Sequence, residues 1–252
     1  MTWILAMLMG SLVGLSLGMF GSGGSVLAVP ILIYILGYDT KSAVAMSLVI
    51  VGFTALVSTI HQWRHKALCH RAALFFSIVG IIGTFFGTWV ALRVSGSFQL
   101  ILFGLLMVIV AVLMIFKKEA DVEEGKNECE MRHDLAGGLG AGVGFMTGLL
   151  GVGGGFLIVP ALNTIGHLKL RLAIGTSLLI ITINSMAGVI GYWGKVHFDW
   201  LVILIFVAVS SLSSFVGIQL AKRLHVEKLR KGFAAFILIL GLGILTQNVF
   251  FA

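Results

Sequence analysis

Long apolar stretches separated by short polar ones follow one another along the whole chain of 252 residues. A membrane-spanning helix needs roughly 20 apolar residues. Stretches of about this length lie at 3–20, 42–60, 72–92, 98–116, 172–193 and 201–221. The pattern lacks the ten-residue segments of alternating polarity that build membrane β-barrels. We therefore predict an all-α, polytopic helical membrane protein.

Composition supports this prediction. Charged residues make up 11% of the chain, whereas a soluble domain has about 25%, so most of the surface must face lipid rather than water. The net charge of +7 would suggest a nucleic-acid partner in a soluble protein. Here the basic residues lie in short loops, where they set membrane topology. We expect the lipid bilayer, and no nucleic acid, around this protein.

The two halves of the sequence repeat each other at a constant offset of 130 residues, from 18 to 148. Residues 18–30 (GMFGSGGSVLAVP) align without a gap on residues 148–160 (GLLGVGGGFLIVP). The same offset pairs Ser47 with Ser177. We therefore predict two transmembrane repeats, residues 1–117 and 135–252, joined by a charged linker at 118–134.

The distribution of Lys and Arg predicts about five elements in each repeat. The first apolar stretch, 3–36, is too long for one helix and is interrupted by glycines. If the chain reverses there, 14 of the 17 basic residues fall on one side of the membrane; a single crossing splits them 9 to 8. The other side then holds only Lys41, Arg93 and Lys195. Because cytoplasmic loops collect basic residues, we expect a cytoplasmic linker and both termini outside.

An odd number of elements inverts the second repeat relative to the first, as in many secondary transporters. The charge count leaves one alternative open. The segments 25–36 and 155–166 either cross the membrane fully or re-enter on the same side, since both arrangements place the loops on the same sides.

Glycine-rich breaks interrupt the first apolar stretch of each repeat. Three glycines in four residues disfavour a helix, and a break at membrane depth is tolerated only where protein or water surrounds it. The helix that restarts after a break points its N–H groups and its positive dipole end at the gap, which suits a small anion. In contrast, the Gly14-x-x-x-Gly18 and Gly83-x-x-x-Gly87 patterns are typical of close helix packing.

The candidate substrate-binding residues belong to the two breaks and to the polar start of the following span: Gly21, Ser22, Gly23, Gly24, Ser25, Ser47, Gly151, Gly153, Gly154, Gly155, Thr176 and Ser177. Pro30 and Pro160 lie about two turns into the short helices, where proline is expected to kink them. A buried serine in a membrane helix also commonly bonds its own backbone, and that interpretation stays open for each serine.

The repeated G-x-G-G-x-x-x-x-V-P sequence, with [KR]-x-A and a serine after it, resembles the TauE/SafE sulfite exporter family. The resemblance covers roughly residues 5–120 and 134–250. It implies a multi-pass protein of the inner cell membrane that moves a small anion such as sulfite or an organosulfonate. The first break has Ser22 and Ser25 where the second has Val152 and Gly155, so the two breaks are expected to contact a substrate differently.

We predict a secondary transporter that carries a small anion by alternating access. A passive anion channel is the alternative. An intramembrane serine protease using Ser22 or Ser25 with His61 is disfavoured, because the second repeat replaces both serines and no G-x-S-G sequence is present. No enzymatic activity, catalytic residue, metal or cofactor is expected. The substrate, the direction of transport, the coupling ion and the oligomeric state are left open by the sequence.

Overall fold

The computed structural model describes residues 2–20, 23–64, 68–116, 133–165, 168, 170–223 and 226–250. Most of these residues are helical, and no strand occurs among them. The α-helices, in chain order, are α1 (Thr2–Phe20), α2 (Gly23–Pro30), α3 (Thr40–Arg64), α4 (His70–Ala91), α5 (Gly96–Phe116), α6 (His133–Leu150), α7 (Gly155–Pro160), α8 (Leu170–Tyr192), α9 (Trp200–Arg223) and α10 (Val226–Phe250). The predicted all-α fold is confirmed, and the short second helix of each half lies where the glycine-rich sequence interrupts the apolar stretch.

Five helical segments in the described residues are long and apolar enough to span a membrane: Thr40–Arg64, His70–Ala91, Gly96–Leu113, Leu172–Tyr192 and Trp200–Leu220. Their outward faces carry large apolar side chains, such as Ile82 and Leu204, which are 70% and 69% exposed. Polar side chains such as Thr54 are instead fully buried. This distribution is the reverse of a soluble protein and fits a surface solvated by lipid.

Helix α1 packs along α9 of the other half and runs parallel to it, because Gly14 lies against Ser210 and Gly18 against Ser214. A Cβ added to Gly14 would lie 2.6 Å from the Cα of Ser210, so the two backbones touch. Only glycine permits this approach. The predicted packing role of Gly14 and Gly18 is confirmed.

Helices α4 and α6 form the matching contact on the opposite side of the molecule, again with parallel directions. A Cβ on Gly83 would lie 2.9 Å from the backbone nitrogen of Phe145, and one on Gly87 would lie 2.9 Å from the carbonyl carbon of the same residue. The packing role predicted for Gly83 and Gly87 is confirmed as well. The first helix of each half therefore pairs with the fourth helix of the other.

Helices α3 and α8 form the centre of the molecule. In them 78% and 67% of the spanning residues are buried, compared with 39–44% in the other three spans. They run antiparallel, since Gly52 lies against Ser185 while Gly188 lies against Leu48. Helices α5 and α10 are also antiparallel. An inverted repeat requires equivalent helices of the two halves to be antiparallel, as α3 and α8 and α5 and α10 are. That the two halves are inverted copies of each other stays a prediction.

Helix α2 turns back along α1, so the chain reverses between them. A Cβ on Gly24 would lie 2.5 Å from the Cβ of Leu17 near the end of α1. Farther along, Leu32 belongs to the same apolar cluster as Ala6 near the start of α1. The reversal inferred from charge is thus present in the structure.

Each proline of the repeat marks a change of helix type. The α-helical part of the short element ends at Pro30 or Pro160, and Ile31–Ile35 or Ala161–Ile165 continue as π-helix. Proline has no N–H and clashes with the carbonyl four residues earlier, and a wider i→i+5 turn is one way in which a helix accommodates such a defect. Beyond each proline the short helix thus continues in a wider form.

Both ends of the bundle join the first half to the second. At one end the hydroxyl of Tyr38 donates to Oδ2 of Asp199 at 2.7 Å. At the other end the N–H of Cys69 donates to Oγ1 of Thr176 at 3.1 Å. The three basic residues of the sparsely charged side belong to the Tyr38–Asp199 end. Lys41 donates to Leu92 O, and Arg93 is the next residue after Leu92. Lys195 lies in the loop before Asp199.

Candidate substrate-binding site

The break between α6 and α7 is a fully buried turn of left-handed glycines. Gly151, Gly153 and Gly154 have φ values of +71°, +62° and +65°, which other residues adopt only with strain. The turn also lies close to α3, since a Cβ on Gly151 would be 2.6 Å from the carbonyl oxygen of Val44. Conformation and space therefore both require glycine here.

Side chains of neighbouring helices bind the carbonyl oxygens that the break leaves without helical partners. Tyr192 Oη donates to Gly148 O at 2.9 Å, and Gln99 Nε2 donates to Leu149 O at 2.7 Å. Ser47 Oγ donates to Gly151 O at 2.5 Å. A helix end inside a membrane needs such partners, because no water is available there. Three acceptors of the break are thus bound within the protein.

The donors of the break are not bound in this way. Among the described residues, no acceptor takes the N–H groups of Val152, Gly153 or Gly155. The first N–H groups of α7 to bond are those of Leu157 and Ile158, both to Gly154 O. The break therefore presents buried N–H donors, which suit an anion, together with the carbonyls of Leu150, Val152 and Gly153, which no described residue bonds.

Only part of the first break can be compared. Gly21 and Ser22 lie outside the described residues. Gly23 begins α2, Gly24 packs on α1, and Ser25 is fully buried. The substrate contacts predicted for this break stay predictions.

The predicted polar residues of α3 and α8 have different positions. Ser47 reaches the break of the other half, where it bonds Gly151 O and its own Val44 O. Thr176 accepts from Cys69 at the start of α4 instead. Ser177 donates to Ile174 O in its own helix. The structure brings Ser47 to a glycine break and gives Thr176 a helix-capping contact.

Asn184 and Ser185, in the middle of α8, were not among the predicted site residues. Both are fully buried. Ser185 Oγ would lie 3.2 Å from a Cβ on Gly153, and so lies beside the second break. The sequence feature that could have identified them is an Asn-Ser pair inside an apolar stretch, because polar residues at membrane depth commonly mark function. Gln99 and Tyr192 were also missed, and no sequence pattern singles them out.

An open cavity of about 540 Å³ lies at the end of the bundle where α3 meets α4, and it is lined by Ile60, Trp63, Arg64, Leu68 and His70. Val44, which contacts the glycine break, is more than four helical turns from Ile60 along α3. This cavity is thus separate from the break.

The described residues include no group of three or more His, Cys, Asp or Glu side chains that could hold a metal ion. The donors at the break are backbone amides and hydroxyl or amide side chains. Groups of this kind offer hydrogen bonds.

The chain is similar to several known membrane proteins. A family model described as sulfite exporter TauE/SafE matches residues 6–244. A "Probable membrane transporter protein" of Xylella fastidiosa (strain 9a5c) is 32% identical over 222 residues, which cover 87% of this chain and 85% of that protein. The "Probable membrane transporter protein YunE" of Bacillus subtilis (strain 168) is 24% identical over 272 residues, covering 99% and 100%. No solved structure matches the chain.

Proposed function

The chain belongs to the sulfite exporter TauE/SafE family, and on this premise we propose that it is a secondary transporter of a small anion, a sulfur oxyanion or an organosulfonate. As a member of this family it is a multi-pass membrane transporter. The inner membrane as its location, the anionic substrate and the alternating-access mechanism belong to the proposal.

The observation that carries the proposal is the group of buried N–H donors at the second glycine break. The N–H groups of Val152 and Gly153 have no acceptor in the described part of the chain, while three nearby carbonyl oxygens accept from Gln99, Tyr192 and Ser47. An anion would accept from these donors, whereas a cation would meet the positive end of each N–H dipole. Neutral donors also bind an anion weakly enough to release it again.

Alternating access is supported by the way in which the two halves meet. The Tyr38–Asp199 bond joins them at one end, and the Cys69–Thr176 bond joins them at the other. We propose that the transport cycle opens one end at a time, so that the site at the break is never open to both sides. A passive channel would instead need both ends open together.

Uptake of labelled sulfite, thiosulfate and sulfonates into proteoliposomes tests the function. We expect saturable uptake and counterflow, because a carrier returns loaded with substrate. Conductance without saturation or counterflow would establish the channel alternative. Transport of a cation or an amine, with indifference to every anion, would refute the anion claim.

A matched pair of glycine variants links any uptake to the break. Gly153→Ala forces a side chain on a left-handed residue and within 3.0 Å of Val51 Cγ1, so we expect uptake to be lost. Gly194→Ala carries the same backbone strain at φ +72° with open space around the added Cβ. We expect Gly194→Ala to retain uptake.

A further inference from the structure

We propose that Asn184 and Ser185 determine which anion is carried, and that the preferred substrate is an anion that also bears an O–H or N–H donor. This inference rests on the proposed function and names the substrate class and two residues of the same site. It stands on the burial, the contacts and the unmet hydrogen-bonding capacity of these two side chains.

Both side chains are fully buried without hydrogen-bond partners. Among the described residues, nothing bonds Nδ2 or Oδ1 of Asn184, or Oγ of Ser185. A buried polar group without a partner is costly, and more so at membrane depth. Three such atoms on adjacent residues therefore indicate that a ligand completes their hydrogen bonds during the transport cycle.

Ser185 lies beside the glycine break, and the neighbouring Asn184 lies against α4. Ser185 lies against Gly52 of α3, and its Oγ would be 3.2 Å from a Cβ on Gly153. The amide of Asn184 lies against Gly80 of α4, where an added Cβ would be 2.6 Å from Nδ2 and 2.8 Å from Oδ1. The missing side chain of Gly80 is what leaves room for this amide. An anion at the free N–H groups of the break would thus meet Ser185, whose neighbour in the chain is Asn184.

The equivalent positions of the first repeat have a structural role. Thr54, the counterpart of Asn184, donates to Ile50 O at 2.7 Å and lies 2.6 Å from Ser210 Oγ. Ala55, the counterpart of Ser185, has no polar side-chain atom. One repeat thus closes this position with a hydrogen-bonded pair of hydroxyls, while the other leaves an amide and a hydroxyl unpaired.

The chemistry of the asparagine amide defines the substrate class. The N–H groups of the break, the hydroxyl of Ser185 and the NH₂ of Asn184 all donate to the oxygens of an anion. The carbonyl oxygen of Asn184 can only accept, so a fully deprotonated anion leaves it unpaired. An anion with its own hydroxyl or amino group bonds it, and a buried site built for such a donor discriminates strongly against analogues that lack it.

Two sulfonates that differ by one hydroxyl test this preference. In proteoliposomes we expect 2-hydroxyethanesulfonate to compete at least about tenfold better than ethanesulfonate, the ratio that one buried hydrogen bond of ordinary strength supplies. Asn184→Leu, which has a similar volume and no polar atoms, should bring the ratio close to one. Equal competition in the wild type, or an unchanged ratio in Asn184→Leu, would overturn the inference.

A variant on the same helix provides the control. Thr182 is buried, and its hydroxyl bonds Leu178 O of its own helix at 2.8 Å. Thr182→Val should leave the ratio at its wild-type value. A loss of preference in this variant as well would assign the effect to disturbance of α8 and refute a specific role for Asn184.

Thermal unfolding of the ligand-free protein tests the unpaired amide without any transport. Replacing an unsatisfied buried amide by leucine removes its desolvation cost, so we expect Asn184→Leu to raise Tm by about 2–4 °C. A fall in Tm would show that Asn184 bonds within the protein and would overturn the inference. If no anion is transported by the wild type, the proposed function fails, and the Tm result still decides whether Asn184 is unpaired.

Discussion

At the residue scale, Ser47 connects the two halves through a single hydroxyl. Its single O–H hydrogen is shared between Gly151 O of the second break, 2.5 Å away, and Val44 O of its own helix, 2.7 Å away. Ser47→Ala would leave the buried carbonyl of Gly151 without its donor, so we expect a loss of about 1–3 kcal/mol of stability. The unfolding midpoint in detergent measures this loss.

The repeat counterpart of Ser47 provides the control. Ser177 bonds only Ile174 O of its own helix within the described residues, and that carbonyl also belongs to the helix ladder. We expect Ser177→Ala to change the midpoint much less. Equal losses in the two variants would contradict a specific role for the bond between Ser47 and Gly151.

The pair of Tyr38 and Asp199, also at the residue scale, gives the protein a pH-dependent contact outside the spans. Burial and the neighbouring carboxylate raise the pKa of Tyr38 to about 12, above its ordinary value. The bond from Tyr38 lowers the pKa of Asp199, as do the N–H groups of Val202 and Leu201 and the nearby His197. The stabilisation is thus lost as pH rises through about 12, or falls below the ordinary range of a carboxyl.

We therefore expect Tyr38→Phe to lower the free energy of unfolding by about 1 kcal/mol. This loss should stay constant between about pH 5 and pH 9. Thermal unfolding at several pH values checks this constancy. The same substitution in an Asp199→Asn background should cost less. A cost that vanished within this pH range would be inconsistent with the hydrogen bond described here.

At the scale of the elements, the contact between α1 and α9 sets how close two helices come. A Cβ on Gly14 would lie 2.6 Å from Ser210 Cα, so we expect Gly14→Ala to push the helices apart and cost about 1–3 kcal/mol. Gly10 faces the same helix one turn earlier, with its nearest atom 3.5 Å from an added Cβ. Gly10→Ala should therefore be close to neutral. Unfolding midpoints of the two variants check this, and equal losses would show that α1 and α9 are not in backbone contact at Gly14.

Local sequence predicted the elements better than the contacts of their polar residues. The apolar stretches gave the spans, and the glycine-rich breaks gave the reversals, because both depend on residues close together in the chain. Thr176 accepts from Cys69, a contact that depends on where α8 meets the start of α4; its substrate role stays a prediction. The bonds from Gln99 and Tyr192 to the break, and the packing of Asn184 against Gly80, likewise arise from helices far apart in sequence.

At the scale of the whole molecule, the charge distribution predicts which end faces the cytoplasm. Lys41, Arg93 and Lys195 belong to the Tyr38–Asp199 end, which we assign to the outside. A cysteine introduced at Lys195, which is exposed, should react with a membrane-impermeant maleimide in intact cells. One introduced at Arg64 should react only after lysis. The reverse result, or cytoplasmic reporters at the termini, would overturn the orientation.

The exchange of partners between the halves has a consequence for how the chain is made. Helix α1 is synthesised before α9, the helix whose backbone it touches, and helices α2 to α8 lie between them in the chain. While those helices are being made, the glycine face of α1 must remain against lipid or against a provisional neighbour. The second half supplies what the first half lacks, so the contact can form only after α9 has entered the membrane.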